Sequence, residues 1–195
     1  MISLDSLRTT RRVRQSVHRE PTTAVAIARH YIGDVIYGAN DGIITTFAVV
    51  AGVTGGSLTV RTVLIVGAAN LIADGLSMGV GNYLSIRSNE SALEAQNLPE
   101  QEARPARHGF ATFLAFIVIG ALPLLPYVLP ELHIDRFVMS VLLTAAALFG
   151  VGASRAAVTV EQWWTAGLEM LLLGVIVGTV AYGSGLLVAA VMNLP

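Results

Sequence analysis

Asn70, Asp74 and Met78 recur every four residues in VGAANLIADGLSMGVGNYLS, the apolar stretch from Val66 to Ser85. Steps of four advance about 400° along an α-helix, so an amide, a carboxylate and a thioether share one slowly drifting face. Placing an ionised carboxylate near a bilayer centre costs roughly 2.5–3.5 kcal/mol on insertion scales, so an acid in such a stretch marks a functional site. Asp34 and Asp41 lie seven apart in the preceding apolar stretch and share a face in the same way. Oxygen donors suit Mn2+ and Fe2+, and a thioether disfavours the hard Mg2+ and Ca2+. A carboxylate binds either a proton or a metal ion, so metal loading and proton movement are chemically linked. Asp34, Asp41, Asn70, Asp74 and Met78 are therefore the expected ligands of a weak, exchangeable divalent cation, with no resident cofactor.

The elements that must position them are membrane helices. Of 195 residues, 54% are hydrophobic and 13% charged, and the mean hydropathy is +0.67. A soluble domain carries about 25% charged residues. An all-α integral membrane protein is expected, a single bundle of five transmembrane helices spanning about 31–53, 60–85, 109–130, 137–154 and 169–192 of a 31–192 membrane domain. A polar loop, 86–108, joins the second and third spans, and 1–30 forms an Arg-rich cytosolic tail. Counting about 1.5 Å per residue from Tyr31 and back from Tyr83 puts Asp41 and Asp74 at similar depth near the midplane.

All 12 positive residues are Arg. With the N-terminus inside, the tail, the 86–108 loop and Arg155 place ten of them in the cytosol, leaving Arg61 and Arg136 outside. The positive-inside rule then gives N-in and C-out. Five spans leave no inverted repeat within one chain, and a path at a two-fold interface makes a homodimer the expected assembly. Gly38, Gly42, Gly75, Gly79 and Gly81 permit close helix packing in lipid. The chain has no Cys, which excludes disulfides and thiolate ligands. It has neither Lys nor a G-x-x-x-x-G-K-[ST] loop, so neither ATP-driven pumping nor an enzyme activity is expected. No nucleic-acid partner is expected. His18, His30, His108 and His133 form no i, i+4 pair and read as interfacial or solvated, Trp163 and Trp164 as an interfacial belt, and Glu90, Glu94, Glu100 and Glu102 as a solvated charged loop, with Glu90 and Glu94 on one face of a helical extension of the second span as the other reading. The absence of a targeting signal and the Arg-only basic composition point to a bacterial inner membrane.

DVIYGANDGIITTFAVVAG (34–52), ANLIADGLSMGVGNYLS (69–85) and LPLLP (122–126) resemble the vacuolar iron transporter family, including its nodulin-like and bacterial members. The resemblance covers about residues 30–192. It implies a five-helix protomer, a homodimer with the ion path between the two first helices, and export of Fe2+ or Mn2+ from the cytosol in exchange for protons. Asp41 and Met78 take the positions of the family's pathway Asp and Met. Where better-studied members have a Glu eight residues before that Met, this chain has Asn70, and Asp74 stands one turn later. Those members also carry a long Glu-rich metal-binding domain between spans two and three. The corresponding connection here has 23 residues, and Glu90, Glu94, Glu100 and Glu102 would be its vestige. Two other readings are compatible with the residues alone: a non-transporting membrane subunit or assembly factor, in which the Asp residues satisfy hydrogen bonds between helices, and an organic-cation transporter.

Overall fold

Thr23 ends an extended segment, and its hydroxyl accepts from the Ala26 amide at 3.3 Å to cap the first helix. The computed structural model describes residues 15–130, 134–157 and 159–192. Its elements are α1 (Ala24–Gly55), α2 (Val60–Ala95), α3 (Pro105–Gly120), a 3-10 turn (Leu122–Leu124), α4 (Leu125–Val128), α5 (Arg136–Arg155) and α6 (Trp163–Val191). With Pro105–Val128 taken as one crossing, five segments among the described residues are long and apolar enough to span a bilayer. Among the described residues there is no strand, only an isolated bridge between Ser16 and Glu100. Leu76, Val80, Leu172, Val180 and Leu187 are exposed on the outer faces. Such surfaces suit hydrocarbon, and the chain is a multi-pass membrane protein.

Helix α1 is central and packs against α2, α3, α5 and α6. Lipid tails are as apolar as Leu, so close van der Waals packing replaces the hydrophobic force in holding these helices together. Glycines supply the closeness. A Cβ on Gly42 would stand 2.6 Å from the Phe116 carbonyl, and one on Gly120 would stand 2.8 Å from the Gly42 carbonyl carbon. On the other side of α3, a Cβ on Gly79 would lie 2.8 Å from the Gly109 carbonyl. Helix α3 is thus clamped between α1 and α2, with Phe116 fully buried among Val50, Val63, Leu71, Leu124 and Tyr127. Gly38 and Gly42 serve this seam inside the protomer, so they supply no argument for a close approach between protomers. Gly81 faces open space.

Pro123 and Pro126 break the C-terminal end of the third crossing, where each removes a backbone donor. Ser140 of α5 donates to the freed Pro123 carbonyl at 2.7 Å and ties the break to its neighbour. At the Gly55-Gly56-Ser57 corner the left-handed residue is Ser57, at φ 57°, while no glycine has positive φ. Gly55 is needed there for its contact with the Tyr182 backbone on α6.

Three predicted boundaries move. Helix α1 begins at Ala24 rather than Tyr31, because the Thr23 cap starts it in the tail. Helix α6 begins at Trp163 rather than near Glu169, whose carboxylate pairs with Arg155 at 3.1 Å. The predicted 86–108 loop is largely helix, since α2 runs on to Ala95. At about 1.5 Å per residue, α2 exceeds the ~30 Å hydrocarbon thickness, and its last turns lie beyond it. Residues 86–95 contain no Gly or Pro to stop the helix, which ends where Asn97 adopts φ 58° just before Pro99. Nor is the tail loose from residue 15 onward: Val17 N–H donates to the Glu100 carbonyl at 2.9 Å, and Glu100 N–H to the Gln15 carbonyl at 2.8 Å. Arg8, Arg11, Arg12, Arg14 and His133 lie outside the described residues.

Candidate functional site

Polar side chains gather in two places, one inside the bundle and one at its tail end. Inside, the four-residue stripe of α2 turns inward. Asn70, Asp74 and Met78 are each partly buried, flanked by buried Leu71, Gly75 and Gly79. Met78 packs against the Phe116 cluster. On α1, Asp41 is also partly buried and lies within electrostatic reach of Asp74. The Asn40 Oδ1 beside it is buried without a hydrogen-bond partner. Thr45, one turn on, spends its hydroxyl on the Asp41 carbonyl at 2.8 Å. Two carboxylates in reach of one another, with amide and thioether groups on the same helix face, can be neutralised by protons or by one divalent cation.

Asp34 falls elsewhere. Its Oδ1 accepts from Asn82 Nδ2 at 2.7 Å, and its Oδ2 meets His108 Nδ1 at 2.6 Å. Asn82 also donates to Thr112 Oγ1 at 2.7 Å. Asn82 is the next member of the series 70, 74, 78, so the four-residue spacing that singled out the stripe could have found it. It joins the inner stripe to the tail end of α1.

At that tail end the expectation that the histidines are solvated fails for His18 and His108. His18, His30 and His108 converge on Glu102 Oε2, at 3.4 Å (Nδ1), 3.3 Å (Nε2) and 3.0 Å (Nε2) respectively. Side-chain exposure is 7% for His18, 11% for His108 and 14% for Glu102, so these are interior groups and not solvated ones. The rings of His30 and His108 meet edge-on at 4.9 Å, with Tyr31 4.7 Å from His30. Their positions in sequence gave no local sign of this, because one comes from the tail, one from α1 and one from the first turn of α3. The docked tail segment and the connector bring them together.

Glu90 is likewise not a solvated loop residue. It is 9% exposed, and its carboxylate accepts from the Gln101 amide at 3.1 Å and the Glu102 amide at 2.8 Å, which fixes the connector. Burial acts to raise the Glu102 carboxyl, but the Arg104 amide bonded to its Oε1 at 2.8 Å and the His108 and His18 imidazoles overcome it, holding Glu102 below the ordinary carboxylate range. Glu20 pairs with Arg104 at 2.5 Å and Arg107 at 2.9 Å, and closes the tail over the mouth of α3. An apolar groove of about 310 Å³ between α1, α5 and α6, lined by Phe47, Phe137, Leu148, Gly174 and Tyr182, contains none of the candidate ligands.

The model of the VIT family matches residues 32–103 and 93–186 of the chain. The chain is 27% identical to a vacuolar iron transporter of Toxoplasma gondii, over 84% of its own length and 76% of the relative's. It is 25% identical to vacuolar iron transporter 1 of Arabidopsis thaliana, over 80% of its length and 85% of the relative's. It is 32% identical to vacuolar iron transporter homolog 2.1 of the same plant, over 60% and 63%. The two matched segments meet at 93–103, in the connector between α2 and α3.

Proposed function

The chain belongs to the VIT family, and from that premise we propose that it carries Fe2+, with Mn2+ as a second substrate, across its membrane in exchange for protons. The observation that carries the reading is the Asp41–Asp74 pair, partly buried on neighbouring membrane helices and in electrostatic reach, with Asn70 and Met78 on the same stripe. In a low-dielectric interior two ionised carboxylates repel strongly and need a counter-charge. A divalent ion satisfies both with oxygen ligands, Met78 adds a soft donor that favours Fe2+ and Mn2+ over Mg2+ and Ca2+, and leaving ions are replaced by protons.

The Arg distribution supports a tail facing the cytosol, so transport runs outward from it, and the functional unit is a homodimer. Asn70 takes the place of a carboxylate and lowers the charge of the site, which suits release as much as capture. Purified protein in sealed proteoliposomes, with Fe2+ uptake and internal pH recorded together, tests this. Fe2+ movement accompanied by opposite proton movement, and accelerated by an imposed pH gradient, is the expected result. Flux that ignores the gradient would remove the antiport, and absence of flux from a folded protein would remove the transporter reading.

A further inference from the structure

At the tail end of the bundle, three imidazole nitrogens surround one carboxylate oxygen, and their hydrogen count does not close. His108 faces Asp34 with Nδ1 and Glu102 with Nε2, while His18 faces Glu102 with Nδ1 and Glu20 with Nε2 at 3.2 Å. To donate on both sides each ring must carry two N–H groups, which only an imidazolium has. Glu102 Oε2 would then receive three N–H groups at once. Yet His30 Nε2 and His108 Nε2 are buried with no aligned hydrogen bond, although they stand within 3.3 Å of that oxygen.

We propose that His18, His30, His108 and Glu102 form a site for a divalent first-row transition-metal ion, separate from the transport stripe, which locks the amino-terminal segment onto the mouth of the bundle. Neutral imidazoles turn lone pairs inward, and a cation among them supplies the charge that the orphaned nitrogens lack. The spacing fits. Metal–nitrogen and metal–oxygen bonds of about 2.1 Å put neighbouring ligand atoms roughly 3.0–3.4 Å apart in octahedral or tetrahedral geometry. The three nitrogen-to-Oε2 distances span 3.0–3.4 Å; the ligand atoms of His18, His30 and Glu102 all lie within 4.8 Å of one another, and His108 Nε2, outside that group, joins it through Glu102 Oε2.

The outer contacts are those a metal site needs. His108 has its second nitrogen on the Asp34 carboxylate, itself held by Asn82, an arrangement that orients a ligating ring. Glu102 spends Oε1 on the Arg104 amide and leaves Oε2 to face the rings. Arg104 and Arg107 are paired with Glu20. Three nitrogens and one oxygen suit Zn2+, Co2+, Ni2+ or Fe2+ and not Mg2+ or Ca2+. The four ligands come from the tail, α1, the connector and α3, so a bound ion cross-links all four. This site stands on its own geometry and does not depend on the chain moving iron.

The test uses the full chain in detergent, with Co2+ as an optical probe, in the Asp41→Asn, Met78→Leu background that disables the stripe. One Co2+ per protomer should bind with the visible absorption of a nitrogen-rich site. His18→Gln with His30→Gln should weaken that binding by about 100-fold or more, since even outer-shell losses cost 10–100-fold. Neither residue contributes to the glycine seams that hold α1, α2 and α3 together, and a Glu102→Gln variant gives an independent second removal. Zn2+ should also slow tryptic cleavage after exposed Arg19 in the wild type and not in His18→Gln. Co2+ affinity unchanged in both the double-His and Glu102→Gln variants, or cleavage that ignores Zn2+, would overturn the site. Loss of Fe2+ flux with Co2+ binding intact would concern the transport stripe alone.

Discussion

The stripe inside the bundle and the cluster at its tail end use different chemistry and are built differently. Asp41, Asn70, Asp74 and Met78 sit on two helices, with oxygen and sulfur groups that are individually weak ligands. His18, His30, His108 and Glu102 come from four elements, already converge within 3.0–3.4 Å of one atom, and are braced by Asp34, Asn82, Arg104 and Glu90. The transport role proposed for the stripe calls for release and is served by few ligands and little bracing, and the holding role proposed for the cluster is served by the reverse. Asp34 belongs to the second region, although its spacing from Asp41 placed it with the first.

The contrast is broken most severely by removing the seam that both regions depend on. Gly42→Leu has to displace the Phe116 and Gly120 backbone, and should cost about 3 kcal/mol, the upper end for overpacking. Little monodisperse protein should survive extraction, whereas Gly81→Leu, which meets open space, should be recovered normally; equal recovery of the two would mean that α1 and α3 are not in backbone contact. Next, Asp41→Asn should abolish proton-coupled Fe2+ flux in proteoliposomes while Co2+ absorption from the histidine cluster persists. Simultaneous loss of both would merge the two regions into one site. Asp34→Asn sharpens the division: as the partner of His108 it should weaken Co2+ binding at the cluster about 10–100-fold, measured by optical titration. The smallest effect belongs to Met78→Leu, which nearly conserves volume and should lower Fe2+ flux about fivefold, equivalent to about 1 kcal/mol, with unchanged thermal stability. Unaltered flux and ion preference would leave Met78 as packing for the Phe116 cluster.

The inner region was legible because helical periodicity is local. Five apolar stretches announced the spans, and the i, i+4 recurrence of Asn70, Asp74 and Met78 put them on one face before any coordinates did. The tail region was not, for two physical reasons. Helix α2 continues through polar residues 86–95 because nothing there breaks it, and hydropathy reports the membrane and not the helix. The histidines meet through the packing of α1 on α3 and the pairing of Val17 with Glu100, contacts between segments far apart in the chain. Thr23, by contrast, was a readable start signal immediately before an apolar run, and weighing capping ahead of hydropathy would have placed the beginning of α1. The glycines were recognised as packing residues, but periodicity could not say that α3, and not a second protomer, is what packs on Gly38 and Gly42.

The seam between Gly42 and Gly120 has a mechanical consequence. Side chains in contact can exchange one set of rotamers for another and so offer a joint two resting positions, but backbone laid on backbone has no rotamers to exchange. Helices α1, α2 and α3 are fastened in that way at Gly42–Gly120 and at Gly79–Gly109. So is α6, whose Tyr182 and Gly185 lie backbone to backbone on Gly55 and Gly52 of α1, and whose Ala166 carbonyl would stand 2.5 Å from a Cβ on Gly152 of α5, while the stacked rings of Phe47, Phe137 and Tyr182, with centroids 6.3 and 5.7 Å apart, line the groove among α1, α5 and α6. Seams of this kind resist a pivot inside the protomer wherever they occur, along α6 as much as along α3.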